Sequence, residues 1–532
     1  MEKVQMQKEE SFEHGRKTFT ITNPATGVDI ESYPLMDRED IDKTVAAARK
    51  KFESWSQSSF TERKKILTRA SQYLADNAGV YAEQIAAENG KTKLDALIAD
   101  VYTSVDLLKY IAKHAEKFLK PVRNLPGSLV APLRNCYYIF QPKGVIGVIS
   151  PWNYPFTLSA SPVASAIAAG NTVILKPSSQ TTRSGMIVKE IFDNAGLPQG
   201  VLQILTGTGS LTGQAFIEHT GLDMLFFTGS TDVGLQVCSK AAERLIPVIL
   251  ELGGKDVAIV TKNANLDRAV NGVAWGAFTN AGQTCIGTEI ILVDRTVYES
   301  FLKKFISLVS TLKLGKGVGE IGCMTMESQR KIVLSQLDNA IKKGAKVVYS
   351  GQVPSNAKGL WCAPTLLTDV TADMDVFHQE TFGPLKSIIA YDTLDEALRL
   401  ANSVEYGLSG CVYTTDMTEG RFIAERLKVG SVNINDSLLT YAIPSMPFGG
   451  LKKSGLGYYH GEMGLRAFTD VKSITETTMP LKRELHWFPM LKDTDKILEA
   501  FIKVLYSGNT RRRIVAYLSL LPKFPKIIRS ML

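Results

Sequence analysis

The chain has 532 residues, of which 45% are hydrophobic and 21% are charged, and its formal net charge is +8. This length is too great for one hydrophobic core and predicts two or three domains. The composition excludes a disordered or fibrous protein. Residues 481–532 contain 11 Lys and Arg and 4 Asp and Glu, so this segment carries a net charge of +7 out of the +8 of the whole chain. The rest of the chain is close to neutral, which argues against nucleic-acid binding by the main domains.

Six Cys and six His residues are scattered through the chain, without a CxxC pair and without metal-ligand spacing. We therefore expect no metal site, and reduced thiols in a cytoplasm. The polar segment 1–17 lacks the apolar stretch of a secretory signal. No apolar run approaches the roughly 18 to 20 residues that a membrane span needs.

The first half of the chain predicts helices and then alternating strands and helices. Residues 38–120 have apolar positions spaced by three and four, with few Gly or Pro residues. A strand is predicted at 135–140. Three short apolar runs follow, each before a polar turn and a helical segment, at 144–150, 172–176 and 201–205. This alternation predicts βαβ units and a parallel sheet that is covered on both faces.

A second alternating block follows residue 251. It has a strand at 257–260, a helix at 266–278 and a strand at 289–293, and it continues through 401–432. The chain as a whole therefore predicts an α/β fold with two doubly wound parallel-sheet domains. A small separate sheet is expected from strands at 134–140 and 472–477.

Cys285 lies in the segment Gly282-Gln283-Thr284-Cys285, and Glu251 lies 34 residues upstream in Leu250-Glu251-Leu252-Gly253-Gly254-Lys255. A lone free Cys usually packs in a core. A thiol in this frame, at this distance from that glutamate, resembles the nucleophile and general base of the NAD(P)-dependent aldehyde dehydrogenases. The resemblance covers roughly residues 19–482. It implies that Cys285 attacks an aldehyde carbonyl and that Glu251 activates the water that hydrolyses the resulting thioester.

The resemblance also implies a domain organisation. Residues 1–133 and 141–252 would form the NAD(P)-binding domain, and 253–445 the catalytic domain. Residues 134–140 and 446–484 would form a bridging region for subunit association, in a homodimer or homotetramer.

Two glycine clusters compete for the cofactor phosphates. The cluster at 207–213 departs from the dinucleotide fingerprint because its last spacing is one residue too long. The cluster Gly229-Ser230-Thr231-Asp232-Val233-Gly234 follows a predicted strand at 224–227 and precedes a predicted helix at 235–244. Taken alone, this cluster is equally typical of a helix-capping turn. Backbone amides at a helix N-terminus bind anions, and the cluster resembles the variant fingerprint of the family, so beside Glu251 and Cys285 we expect Gly229, Ser230 and Gly234 to bind the phosphates.

The remaining site residues are implied by the family resemblance. Asn153, in Pro151-Trp152-Asn153-Tyr154-Pro155, would donate to the oxyanion together with the backbone N–H of Cys285. The cofactor residues would be Trp152, Lys176, Ser179, Leu252, Glu380 and Phe382.

Lys176 would hold the adenosine ribose. Ser179 stands where many NAD-preferring members carry a glutamate that repels a 2′-phosphate, so the cofactor is NAD or NADP. One departure is Ile290, where an arginine is common, and there we expect a local change in packing.

The substrate is less closely defined by the sequence. Relatives that act on succinic semialdehyde carry two arginines for the distal carboxylate, and this chain has Thr279 and Ser161 at those places. We therefore expect an uncharged, apolar aldehyde. A semialdehyde dehydrogenase with an anionic substrate is the alternative. A non-catalytic binding or structural protein on the same fold is disfavoured, because Cys285, Glu251, Asn153 and Lys176 are all present.

Residues 485–532 extend beyond the resemblance as a basic amphipathic tail. The segment Asp493-Thr494-Asp495 is the predicted cap of a helix in which Ile497, Leu498, Phe501, Ile502 and Leu505 form one apolar face. Arg511-Arg512-Arg513 and a second apolar run at 514–521 follow. Such a segment either lies on a membrane surface or packs on a neighbouring subunit, and the sequence leaves both open.

Overall fold

The computed structural model describes residues 11–13, 16–124, 134–353, 355–478, 481–484 and 486–531. The chain divides into two compact units. The first contains the residues up to Lys120 and from Phe140 to Asp470, and the second contains Pro121–Ile139 and the residues from Val471 onward. The predicted domain boundaries stay a prediction.

The first unit begins with a three-stranded antiparallel sheet, followed by helices. The strands are β1 (Ser11–Glu13), β2 (Arg16–Thr22) and β3 (Asp29–Pro34). The helices are α1 (Arg38–Trp55), α2 (Phe60–Asp76), α3 (Ala78–Asn89), α4 (Lys93–Asp95) and α5 (Thr103–Leu119), with a π-helix at Ala96–Tyr102. Asp37 begins α1 because its carboxylate accepts the N–H of Asp40 at 3.1 Å, while the Asp40 carboxylate accepts the N–H of Asp37.

The second unit contains a small sheet and a helical tail. Strands β4 (Val122–Asn124) and β5 (Arg134–Pro142) pair antiparallel. The strand β21 (Thr469–Thr477) lies on the other side of β5, so the two strands predicted for this sheet are neighbours. The tail forms α18 (Thr494–Tyr506), α19 (Thr510–Leu520), a short 3₁₀ turn at Leu521–Lys523 and α20 (Phe524–Met531).

The first large sheet has five parallel strands and one antiparallel edge strand. Its strand order is β20-β10-β9-β6-β7-β8. The strands are β6 (Val145–Ile149), β7 (Thr172–Lys176), β8 (Leu202–Ile204), β9 (Met224–Thr228), β10 (Val248–Glu251) and β20 (Gly455–Leu456). The helices between them are α6 (Thr157–Ala168), α7 (Thr182–Asn194), α8 (Gln214–Ile217) and α9 (Thr231–Ala242). Buried apolar residues on both faces enclose this sheet, as predicted for a parallel sheet.

The second large sheet has seven strands in the order β13-β14-β15-β12-β11-β17-β18, and only β13 runs antiparallel. The strands are β11 (Asp256–Val260), β12 (Thr288–Asp294), β13 (Lys346–Ser350), β14 (Thr365–Thr368), β15 (Leu385–Tyr391), β17 (Ser409–Tyr413) and β18 (Ser431–Ile434). Its helices are α10 (Leu266–Phe278), α11 (Tyr298–Val309), α12 (Glu327–Lys342), α13 (Asp375–His378), α14 (Leu394–Ser403) and α15 (Met417–Arg426). Other short elements are β16 (Tyr406–Gly407), α16 (Leu439–Ala442), β19 (Leu451–Lys452) and α17 (Gly461–Ala467). The predicted α/β fold is confirmed.

The tail differs from its sequence prediction in two respects. The Asp493 side chain makes no capping hydrogen bond to α18. The five predicted apolar positions lie on one side of α18, but only part of that side is buried. Ile497 is buried and Phe501 is partly buried in a small core with Ala516 of α19, whereas Leu498 and Ile502 are exposed. The α19 helix supplies this core, and helical periodicity alone cannot show which part of an apolar face a second helix covers.

Within the described ranges, no helix combines the length and the apolar character needed to cross a bilayer.

Candidate active site

Cys285 lines a cavity of about 220 Å³ in the first unit. Most of the side chains around it are apolar or aromatic, and Ile98, Trp275 and Leu439 at its edge are exposed. The cavity lining, which consists entirely of described residues, contains no Lys, Arg or His side chain. Its one carboxylate, Asp436, lies 3.8 Å from the guanidinium of Arg268. The predicted nucleophile therefore faces a cavity suited to an uncharged ligand.

A tight turn presents Cys285 to this cavity. α10 ends at Phe278, and Asn280 and Ala281 then adopt left-handed backbone angles, with φ of 51° and 56°. Gly282, with φ of 73°, is required here because a Cβ atom would lie 2.4 Å from the carbonyl oxygen of Gly383. Such strained turns are common at functional sites, where surrounding contacts hold them in place.

Glu251 lies at the end of β10, and the two glycines after it bring the other segments close. A Cβ atom on Gly253 would lie 2.5 Å from the Glu380 carboxylate, and one on Gly254 would lie 2.2 Å from the carbonyl oxygen of Cys285. Only glycine therefore fits at these two positions. The motif around Glu251 thus brings it near both Cys285 and Glu380.

The Glu251 carboxyl group is buried, and neither of its oxygens has a hydrogen-bond partner among the described residues. This burial raises the pKa of Glu251 well above its usual value. The pKa of the Cys285 thiol is raised too, chiefly by burial and then by the nearby carboxylates of Glu380 and Glu251. The charged carboxylate of Glu251 thus opposes ionisation of the Cys285 thiol.

Asn153 faces the loop that carries Cys285. Its side-chain Nδ2 donates to the carbonyl of Gln283 at 3.2 Å. The backbone carbonyl of Asn153 accepts from Nδ2 of Asn280 at 2.9 Å and from Nδ2 of Asn89 at 3.3 Å. Asn89 also donates to the carbonyl of Trp152 at 2.7 Å. The sequence prediction missed Asn89 and Asn280, although Asn280 lies within the Cys285 segment.

The predicted phosphate cluster lies between β9 and α9. The helix begins at Thr231, four residues earlier than predicted, so its N-terminal amides directly follow Gly229 and Ser230. The N–H of Gly229 donates to the carbonyl of Glu251 at 3.0 Å. A Cβ atom on Gly234 would lie 2.4 Å from the Leu252 side chain. Gly234 and Leu252, both predicted to bind the cofactor, are therefore in contact, and Gly229 lies beside Glu251.

Lys176 ends β7 and is buried, with its Nζ donating to the carbonyl of Pro177 at 3.2 Å. Burial lowers the pKa of Lys176 to about 8. A Cβ atom on Gly213 would lie 3.4 Å from this side chain. The glycine cluster at 207–213, whose spacing departs from the dinucleotide fingerprint, thus lies beside Lys176, and Ser179 follows in the same loop.

Glu380, Phe382 and Trp152 form the third group of predicted cofactor residues. The Glu380 carboxylate accepts the N–H of Gly254 at 2.9 Å. Burial and the Glu289 carboxylate raise the pKa of Glu380 to about 8. The rings of Trp152 and Phe382 meet edge-on, with centroids 5.4 Å apart.

The two positions considered for a carboxylate-binding arginine have other partners. Thr279 lines the cavity, and its hydroxyl donates to Asp95 at 2.8 Å. Ser161 is buried, and its hydroxyl lies 2.8 Å from Nε2 of His460. Neither position presents a cation to the cavity.

Residues 12–474 match the sequence profile of the aldehyde dehydrogenase family. A protein of Mycobacterium ulcerans, provisionally named a succinate-semialdehyde dehydrogenase [NADP(+)], is 37% identical over 86% of this chain and 88% of its own length. A 4,4'-diapolycopene aldehyde oxidase of a Methylomonas species is 35% identical over 93% of this chain and 92% of its own. The NAD+ complex of an aldehyde dehydrogenase from Bacillus cereus superposes with a TM-score of 0.83 and 33% identity, covering 87% of this chain and 94% of that one. The chain belongs to the aldehyde dehydrogenase family.

Proposed function

We propose that this enzyme oxidises an uncharged, apolar aldehyde to its carboxylic acid, with NAD or NADP as the hydride acceptor. The observation that carries the proposal is the cavity at Cys285, which is mostly apolar and, among its described lining residues, has no cationic side chain. The two named relatives differ in substrate, and succinate semialdehyde would place its carboxylate in this cavity without a counter-ion. That argument favours the apolar substrate over the anionic alternative.

The first chemical step is attack by Cys285. Glu251 accepts the proton of the thiol. The thiolate therefore forms beside a neutral carboxyl group and not beside a second negative charge, which would oppose its ionisation. The sulfur then bonds to the carbonyl carbon as the carbonyl electron pair moves onto oxygen. Asn153 Nδ2 and the backbone N–H of Cys285 stabilise this oxyanion in the thiohemiacetal.

The thiohemiacetal is then oxidised and hydrolysed. When bound, NAD(P) supplies the nicotinamide carbon that accepts the hydride from the former aldehyde carbon. A thioester on Cys285 is left. Glu251 releases the thiol proton to solvent and then removes a proton from water, and the resulting hydroxide adds to the thioester carbonyl. The carbon–sulfur bond breaks to release the carboxylic acid, and the thiolate of Cys285 takes the proton back from Glu251.

The cofactor residues that we propose fit a dinucleotide. The amides at the start of α9, with Gly229, Ser230 and Gly234, form a cradle for the pyrophosphate. Leu252 packs against Gly234 below this cradle. Lys176 and Ser179 lie at the adenosine end. A serine at position 179 brings no negative charge to a 2′-phosphate, which supports the use of either cofactor.

At the nicotinamide end, we propose that Glu380 holds the ribose and that Phe382 and Trp152 support the ring. Glu380 lies against Gly253, next to the Glu251 and Cys285 segments, which is where the ring must be for hydride transfer.

Two interaction surfaces are also part of the proposal. The sheet of β4, β5 and β21 associates subunits into a homodimer or homotetramer. The tail contacts an anionic, cytoplasmic membrane surface, because it combines basic residues such as Arg511, Arg512 and Arg513 with exposed apolar side chains. These include Ile502, Ile514, Val515, Leu518 and Ile528. The six cysteines are all free thiols, which supports a reducing compartment.

A panel of aldehydes with NAD and with NADP tests the substrate class. We expect a higher kcat/KM for unbranched apolar aldehydes than for succinate semialdehyde with either cofactor, measured by the absorbance of the reduced nicotinamide. A preference for succinate semialdehyde would overturn the apolar assignment, and no turnover on any aldehyde would overturn the function.

A further inference from the structure

Lys255 and Glu289 form a buried ion pair close to the catalytic cavity. The Nζ of Lys255 lies 2.5 Å from Oε2 of Glu289, and the two side chains are 0% and 2% exposed. Taking two charges out of water is costly, and a buried pair often gives no more stability than apolar residues of similar size. A role in positioning other groups would account for such a pair.

The pair joins the two catalytic segments. Lys255 lies four residues after Glu251, immediately before β11, and Glu289 lies four residues after Cys285, in β12. β11 and β12 are parallel neighbours in the second large sheet. The ion pair therefore fixes the start of one strand relative to the start of the other.

The same pair also holds the segment of Glu380, Thr381 and Phe382. The Glu289 carboxylate accepts the N–H of Thr381 at 2.9 Å and the N–H of Phe382 at 2.7 Å. Lys255 donates to the hydroxyl of Thr381 at 3.0 Å. Phe382 has a φ of 49°, which is unfavourable for a bulky side chain, so its backbone depends on such contacts.

A second buried lysine faces the same carboxylate. Lys386 of β15 is fully buried, and no hydrogen bond to its Nζ is found among the described residues. Lys255 and Lys386 together lower the pKa of Glu289 despite its burial. Glu289 is therefore a carboxylate, with both oxygens available to accept backbone N–H groups.

We infer that the Lys255–Glu289 pair positions the nicotinamide end of the cofactor against Cys285, by fixing the Glu380–Phe382 segment to the segments of Glu251 and Cys285. This inference rests on the proposed function. Lys255 and Glu289 are positioning residues that act through Glu380 and Phe382. Loss of the pair is expected to slow hydride transfer without weakening the adenosine end of the site, which lies at other strands.

The test compares Glu289→Gln with the wild-type enzyme, using an aldehyde deuterated at the carbonyl carbon. We expect kcat to fall by about 10- to 100-fold and the primary deuterium isotope effect on kcat to increase, because hydride transfer becomes slower than the other steps. Binding of ADP-ribose, which lacks the nicotinamide, is expected to stay within twofold of wild type. The matched control is Glu83→Gln, which removes the charge from an exposed ion pair with Lys93 and should change neither value.

Thr381→Val is a second variant that keeps the ion pair and removes only the hydroxyl that Lys255 contacts. It should change the isotope effect in the same direction and to a smaller degree, and it decides the matter if Glu289→Gln does not fold. An unchanged rate and isotope effect would overturn the inference. So would a parallel loss of ADP-ribose binding and of Tm, which would indicate a general loss of structure. A wild-type enzyme without NAD(P)-dependent aldehyde oxidation would instead overturn the proposed function.

Discussion

The side-chain amide of Asn153 donates to the carbonyl of Gln283, two residues before Cys285, at 3.2 Å. An amide group has a second N–H, and the first hydrogen bond fixes the direction in which the second one points. Asn153 is thus held against the loop that carries the thiol. This is the placement that a donor to an oxyanion on a Cys285 adduct requires.

Replacing Asn153 should therefore slow catalysis without affecting the cofactor. We expect Asn153→Ala to lower kcat by about 10²- to 10³-fold, with NAD(P) binding unchanged by fluorescence titration. Asn194→Ala, on the exposed end of α7, is the control. A variant of Asn153 with wild-type kcat would exclude it from the oxyanion site.

The pH dependence of turnover should follow the raised pKa of Glu251. The carboxyl group must be unprotonated to accept a proton from water, and its burial raises its pKa. The rate should thus increase with pH, with an apparent pKa on the acidic limb above the ordinary value of about 4.3 for a glutamate. A kcat profile measured with a saturating aldehyde checks this. An acidic limb with an apparent pKa of about 4.3 would contradict the claim that burial raises the pKa of the catalytic base.

Ser179 should determine whether NADP is accepted. A glutamate at this position would place a negative charge against the 2′-phosphate. We therefore expect Ser179→Glu to raise the KM for NADP much more than the KM for NAD, while Ser179→Gln, which has a similar size and no charge, changes the ratio far less. If the glutamate raises both KM values equally, position 179 does not face the 2′-phosphate.

Trp275 should contribute to the binding of long aldehydes. Its indole lines the cavity and is 41% exposed at its edge. We expect Trp275→Ala to lower kcat/KM for decanal by about tenfold and to leave propanal, which does not reach the edge, nearly unaffected. Equal losses for both aldehydes would show that Trp275 supports the fold of the loop and not the substrate chain.

The tail should bind anionic vesicles through exposed residues of α19. Val515 and Leu518 are exposed and three residues apart on this helix, outside the small core of the tail. We expect the double change Val515→Glu and Leu518→Glu to reduce co-sedimentation with phosphatidylserine vesicles, an effect that weakens at high salt. Val318→Glu, on an exposed loop of the first unit, is the control. If the wild type, the double variant and Val318→Glu co-sediment with the vesicles equally, the tail does not bind membranes through α19.

Local sequence patterns were sufficient to predict several strands and helices of the two large sheets. The predicted strand at 172–176 and helix at 266–278 have the observed bounds. The first is a short apolar run and the second has apolar residues at helical spacing, and in both cases the local signal and the fold agree. The helix predicted at 235–244 begins at Thr231 instead, because the first turn of a helix does not yet show the apolar spacing of its buried face.

Contacts between distant segments could not be predicted. The Lys255–Glu289 pair depends on β11 and β12 being neighbours, which no local pattern of either segment reveals. The two charged residues alone would suggest exposed positions. In the same way, Gly213 lies beside Lys176 because β7 pairs with β8. Neither the spacing of the glycines nor the charge of the lysine indicates this contact.

The central claim is that substrate is carried as a thioester on Cys285 and released by Glu251. Intact-protein mass spectrometry of Glu251→Gln after one turnover with NAD and aldehyde tests it most directly. This variant also lacks the acceptor for the thiol proton, which slows acylation, but hydrolysis depends more strongly on a base because water is a weaker acid than a thiol. We therefore predict a slow mass increase equal to the acyl group, located on the peptide that contains Cys285 and absent from Cys285→Ala. A Glu251→Gln enzyme that turns over at the wild-type rate, or an acyl group found on another residue, would contradict the account.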